Sequence, residues 1–278
     1  MALFFVVVAT LGFFVSEYYG APELFYIALI FSLFMNVLSY WYSDKIVLAI
    51  SKAKEAKREE FFDLYTLTEN LSIAGGLPMP KLYVIDEPAP NAFATGRDKD
   101  HSAVAVTTGL LQRLDRSELE GVIAHELSHI GNRDILLMSS VVVLVGLVSI
   151  LSDIFLRSMM FSGGRDRDSR GGAGGVLAIV GIVLIVLSPL IATLIKLAIS
   201  RKREYLADAS GALLTRYPEG LASALEKISS YSAPMKNPHA ATAHLFISDP
   251  FGGKKMSISG LFQTHPPVEK RIATLRSM

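Results

Sequence analysis

Residues 117–135 read S-E-L-E-G-V-I-A-H-E-L-S-H-I-G-N-R-D-I. Leu119, Val122, Ile123, Leu127 and Ile130 recur at helical spacing and give this stretch one apolar face. Ser117 with Glu120 fits a capping box at its start. Gly131 and Asn132 mark either its end or its passage into the apolar run that follows. Inside it lies His125-Glu126-Leu127-Ser128-His129. Side chains four residues apart share a helix face, so both imidazoles can reach one metal ion. Glu126 can address a water beside that ion rather than the ion itself. The other interpretation is a pair of histidines satisfied within a helix.

A catalytic zinc site takes three protein ligands and keeps a fourth position open. The metzincin pattern would supply a glycine three residues after His129 and a histidine six after it. The chain has Asn132 and Ile135 there, which excludes that class. Further along, residues 201–208 read R-K-R-E-Y-L-A-D. Glu204 and Asp208 are four apart and share a face. Glu204 can ligate a metal, and Asp208 can accept the free N–H of a ligand imidazole, which fixes its tautomer. The competing reading is a solvated charged helix with Glu204 paired to Arg201, Lys202 or Arg203.

Between and before these segments lie four apolar runs: residues 1–19, 23–42, 135–156 and 176–199. Each approaches the roughly 20 residues needed to cross a bilayer. Tyr40, Trp41 and Tyr42 close the second run as an interfacial belt would. Pro189 predicts a kink in the fourth, and Lys196 sits near enough to its end to snorkel. A signal peptide is the other account of the first run, but no Lys or Arg precedes it. The third and fourth runs form a hairpin around a Gly- and Arg-rich loop at 162–175, returning the chain to the side it left. That hairpin brings Ser200 onward back beside His129.

Composition agrees with a membrane protein. Of 278 residues, 51% are hydrophobic and 19% charged, against about 25% charged in an ordinary soluble domain. The mean hydropathy is +0.39. A net charge of +1 offers no basic surface for nucleic acid. With no cysteine, disulfide scaffolds, thiolate metal sites and cysteine nucleophiles are excluded. Lys45, Lys52, Lys54, Lys57 and Arg58 follow the second run and Arg201, Lys202 and Arg203 the fourth, which places the soluble parts in the cytoplasm. Arg157, Arg165, Arg167 and Arg170 in the Gly-rich loop argue the other way.

Three parts follow: an N-terminal hairpin at 1–42, a second hairpin at 135–199, and one cytoplasmic domain assembled from 43–134 and 200–278. Residues 51–75 read as a helix ending at Gly75-Gly76. Residues 81–85, 91–95 and 103–107 read as short strands. The expected fold is therefore mainly α, with four transmembrane helices and an α+β domain carrying a small β-sheet.

The ordered combination of four apolar spans, Asn91-Ala92-Phe93-Ala94-Thr95-Gly96, the H-E-L-S-H helix, Glu204-Tyr205-Leu206-Ala207-Asp208, Thr264-His265-Pro266-Pro267 and Arg271 resembles the HtpX-type membrane zinc metalloproteases over nearly the whole chain. The resemblance implies a zincin-like domain of the gluzincin kind. It implies one zinc ion on His125, His129 and Glu204, with Glu126 catalytic and Asp208 behind the ligands. It also implies proteolytic quality control, in the stress response, of membrane-protein or unfolded polypeptide substrates at the cell membrane, with the active site facing the cytoplasm.

Other residues have weaker claims. Residues 91–95 can act as an edge strand that pairs with a substrate backbone, or as an ordinary edge strand. His265, Tyr205 and Arg271 are candidate oxyanion donors; for His265 and Arg271, packing of the C-terminal helix is the preferred explanation. Two alternative functions stand beside the endopeptidase: a prenyl-protein protease of the CAAX type, and a catalytically silent scaffold around a structural metal, which would need a fourth protein ligand.

Overall fold

The computed structural model describes residues 2–146, 181, 200–252 and 266–278. Two helices, α1 (Ala2–Tyr19) and α2 (Glu23–Ile50), form the N-terminal hairpin. Gly20, at φ +61°, turns the chain between them. Gly12 packs directly on Ala28 of the facing helix, where a Cβ on Gly12 would collide with the Ala28 side chain. Such small-residue contacts let helices approach closely where no hydrophobic effect drives them together. Among the described residues, Glu23–Ile50 is the one helix that is by itself long and apolar enough to cross a membrane.

α2 runs eight residues past Tyr42, and Val47 and Leu48 are buried in the domain beyond. This breaks up the helix expected over 51–75. Ser51 caps α2, Lys54–Glu55 forms strand β1, and α3 begins only at Phe62 and ends at Ala74. The Lys- and Glu-rich stretch has good helix formers but no apolar period to bury. Backbone pairing prevails there: β1 lies antiparallel to β2 (Lys81–Ile85), and Ala56 N–H donates to the Leu82 carbonyl.

β2 pairs in parallel with β4 (His101–Thr107), and β4 in antiparallel fashion with β3 (Ala92–Asp98), giving the order β1-β2-β4-β3. Side chains alternate across this sheet and both faces are covered. Leu82, Val84, Ala92, Ala94, Val104 and Val106 join one core with the helices that carry the candidate site. Ile85, Phe93, Ala103 and Ala105 join a second core with Val47, Leu48, Met138 and Phe246. The sheet is thus the middle of three layers.

After the short α4 (Thr108–Arg113), the long α5 (Arg116–Gly131) crosses the first core. Its capping box is Asp115 with Glu118, two residues earlier than the Ser117–Glu120 pair expected from the sequence. The Asp115 carboxylate accepts from Glu118 N–H at 3.0 Å, Glu118 accepts from Asp115 N–H at 2.9 Å, and the Ser117 hydroxyl merely donates to Asp115. α5 does not run straight on. Asn132 caps it, Arg133 turns left-handed at φ +61°, and α6 (Ile135–Gly146) leaves at 87°. Only this first part of the expected third span is described; the rest of it, the Gly-rich loop and nearly all of the fourth run lie outside the described residues. α7 (Arg201–Thr215), α8 (Pro218–Ser229) and α9 (Val268–Arg276) complete the domain. The described chain is therefore mainly helical with a small mixed sheet, and four spans are not established by it.

Candidate metal centre

α5 lies close against α7 and α8 because one glycine at each contact leaves room for it. A Cβ on Gly211 of α7 would sit 3.0 Å from the backbone N of His125, and one on Gly121 of α5 would sit 2.5 Å from the backbone N of Leu221 in α8. α5 is gripped from both sides, and its His-bearing face is held against α7.

The face pairs His125 and His129 with Glu204. Their Nε2 atoms are 3.2 Å apart; Glu204 Oε2 is 3.9 Å from His125 Nε2, and Oε1 is 3.6 Å from His129 Nε2. The three residues each offer a ligand atom within 4.8 Å of the others. Donor atoms at zinc distances of about 2.0–2.2 Å in a tetrahedron are separated by about 3.3–3.5 Å, so the spacing fits. All three residues are at most 3% exposed, as is Glu126.

The outer ring nitrogens carry the argument further. His125 Nδ1 lies 3.0 Å from Asp208 Oδ1, with its N–H imperfectly aimed, and His129 Nδ1 lies 3.1 Å from Asp134 Oδ2. With each Nδ1–H directed at a carboxylate, both Nε2 atoms are lone-pair acceptors facing one another and facing a third carboxylate. Buried acceptors arranged so repel unless a cation lies among them. The chemistry of the donor set therefore fits a divalent, imidazole-favouring ion such as zinc.

Electrostatics set the two ligand histidines apart. Burial pushes the His125 imidazole down to about 4 in spite of Asp208. Burial acts against ionisation of Asp208, but Arg271 and His125 outweigh it and bring that carboxyl down to about 2. Burial also opposes protonation of His129, but Asp134, Glu204 and Glu126 raise it above the ordinary value. Arg271 clamps Asp208 in a fork, Nε to Oδ2 at 2.9 Å and Nη2 to Oδ1 at 2.7 Å, and its Nη1 reaches within 3.7 Å of Glu204.

Of the expected site residues, the structure gathers His125, Glu126, His129, Glu204, Asp208 and Arg271 into one buried cluster. Arg271 is placed behind the ligands by α9, where it holds Asp208. Tyr205 follows Glu204 on α7 and is half-buried. His265 lies outside the described residues. Asn91 turns its amide to Ser248, donating to its carbonyl and accepting from its N–H. Phe93 packs edge-on against Phe246 at 5.1 Å. β3 is an edge strand: the Ala92 carbonyl accepts from Ile247 N–H and Gly96 N–H donates to the Ser139 hydroxyl, so Ala94 between them turns its backbone groups to the side away from β4, where no described strand pairs with it. Asp134 was missed by the sequence reading; the one signal for it is an acid directly after the Asn132-Arg133 turn that follows the motif.

The family model of Peptidase family M48 matches residues 58–278. A protein named Protease HtpX homolog from Caldanaerobacter subterraneus subsp. tengcongensis is 48% identical over 282 residues, covering 100% of this chain and 93% of its own. The proteins of the same name from Thermoanaerobacter pseudethanolicus and Pyrococcus furiosus are 51% and 48% identical, over 90% and 91% of this chain and 83% and 86% of theirs. Among solved structures, Ste24p of S. mikatae is similar in fold, with a TM-score of 0.53 at 18% identity, over 96% of this chain. The chain spans 62% of the length of that protein.

Proposed function

Because the chain belongs to Peptidase family M48, we propose that it hydrolyses peptide bonds at one zinc ion held by His125, His129 and Glu204, with Glu126 transferring the proton. It is a membrane metalloprotease of the HtpX group, acting on peptide or protein substrates. The observation that carries the site assignment is the convergence of two imidazoles and a carboxylate within 4.8 Å, each imidazole backed by a further carboxylate.

A zinc ion held there would supply Lewis acidity toward water and the scissile carbonyl. The chain's own residues do the rest. Asp208 and Asp134 hold the rings in the tautomer that leaves Nε2 free for the ion. Arg271 keeps Asp208 ionised and in place. Glu126, adjacent to His125 on α5, takes a proton from the attacking water and delivers it to the departing amine. Ala94, on the free edge of β3, offers its N–H and carbonyl to an extended substrate. The reacting groups are almost closed to solvent.

The fuller reading follows from the hydrophobic hairpin, the apolar third and fourth runs and the distribution of basic residues. It is a multi-pass protein of the cell membrane whose residues 43–134 and 200–278 make one cytoplasmic protease domain. Its substrates are membrane-protein or unfolded polypeptides, in the service of protein quality control. The test is Glu126→Gln in the purified full chain. Cleavage of an unfolded protein such as casein falls by at least a thousandfold while bound zinc stays at the wild-type level. Retained cleavage would remove Glu126 from the chemistry.

A further inference from the structure

Asp134 stands five residues after His129, at the joint where α5 ends and α6 departs at 87°. An aspartate before the first turn of a helix ordinarily turns its carboxylate onto the free backbone N–H groups there. Asp134 is in that position, since its carbonyl accepts the first α6 bond, from Met138 N–H at 3.1 Å. Its side chain does something else. Oδ2 lies 3.1 Å from His129 Nδ1, and Oδ1 lies 3.4 Å from Arg203 Nε. One oxygen is thus turned back onto a metal-centre imidazole and the other toward the start of α7, and the residue is 7% exposed.

The local backbone enforces this. Asp134 N–H donates to the His129 carbonyl at 3.0 Å, across the left-handed turn at Arg133. The carboxylate and the imidazole are therefore fixed to each other by main chain as well as side chain. Arg203, the other partner, immediately precedes Glu204 on α7. One carboxylate consequently touches the α5 histidine, the start of the helix bearing the third ligand, and the root of α6.

Resting on the zinc assignment above, we propose that Asp134 is a positioning residue for the metal centre. It holds His129 in the Nδ1–H tautomer, with Nε2 aimed at the ion, and ties the orientation of that ring to the direction in which α6 leaves the domain. Asp208 performs the matching task for His125, so each imidazole has its own acid. Outer partners of this kind typically change metal affinity by about 10–100-fold when removed.

The test uses the full chain in detergent and measures zinc affinity by chelator competition, together with the visible spectrum of the cobalt-substituted protein. Asp134→Ser keeps a helix-capping side chain at the root of α6 but is too short to reach the ring. It weakens zinc by about 10–100-fold and alters the cobalt absorption bands. Asp134→Asn, whose amide oxygen still accepts the ring N–H, restores affinity to within about threefold and restores the bands. Wild-type zinc affinity and an unchanged cobalt spectrum in Asp134→Ser would overturn the proposal. So would a metal-free Asp134→Ser protein that no longer folds by circular dichroism, because that outcome assigns Asp134 to the fold. His129→Ala separates the two levels: if it keeps wild-type zinc affinity, the zinc assignment fails. If it loses the zinc while Asp134→Ser does not, only the role of Asp134 fails.

Discussion

Arg271 is the largest side chain among the most deeply buried ones, at 1% exposure, and it is charged. Nothing in the local pattern of α9 marks it as different from a surface arginine, because its partners, Asp208 and Glu204, lie more than sixty residues away in the chain. Its role is visible only once α7 and α9 are side by side. Removing one partner of a buried ion pair strands the other in a dry environment, at a cost of about 3–5 kcal/mol. We therefore expect Arg271→Met to lower stability by about that amount in denaturant unfolding, and to weaken zinc, since the released Asp208 no longer holds His125. A variant as stable as wild type would show that Asp208 finds another cation. His125, Glu126 and His129 behave oppositely to Arg271 in legibility. Their spacing is local, and a helix of 3.6 residues per turn puts the two imidazoles on a shared face, where the structure brings them together.

Among the elements, α5 joins a fully buried apolar face to close backbone approach. Gly121 and Gly211 leave no room for a Cβ, the first against the backbone of Leu221 and the second against that of Ala124 and His125. Gly121→Ala forces α8 away from α5, and we expect a loss of about 1–3 kcal/mol in thermal or denaturant unfolding, as for other overpacked contacts. Unchanged stability would mean that the two helices slide apart freely. The strands were readable because short apolar alternations bounded by Asp, Pro and Gly have few other uses. The segment between α2 and α3 was not. Helix-forming composition at 51–60 carried no information about the Leu82 carbonyl waiting for Ala56 N–H. The cap of α5 was displaced for a related reason: Asp115-Glu118 and Ser117-Glu120 are both good boxes in sequence. The one that forms also sets Glu118 2.6 Å from Lys227 of α8.

Taken together, the sheet stands between the metal-bearing helices and a second core that receives the end of α2 and the start of α6. Among the described residues, the end of α2 and the start of α6 pack on the same sheet as the metal-bearing helices. The absence of cysteine makes orientation simple to examine with single introduced thiols. A cysteine replacing Asn237 should react with an impermeant maleimide only from the cytoplasmic face, and one replacing Gly20 only from the opposite face. Labelling of both from the same face would contradict the proposed topology. The whole functional account, however, depends on a carboxylate from one helix meeting two imidazoles from another. Metal content of the purified full chain after exhaustive dialysis examines that meeting most directly. We expect one zinc per chain in the wild type and well under one-tenth as much in Glu204→Ala, with the variant still folded by circular dichroism. An equal zinc content in the two proteins would contradict the account.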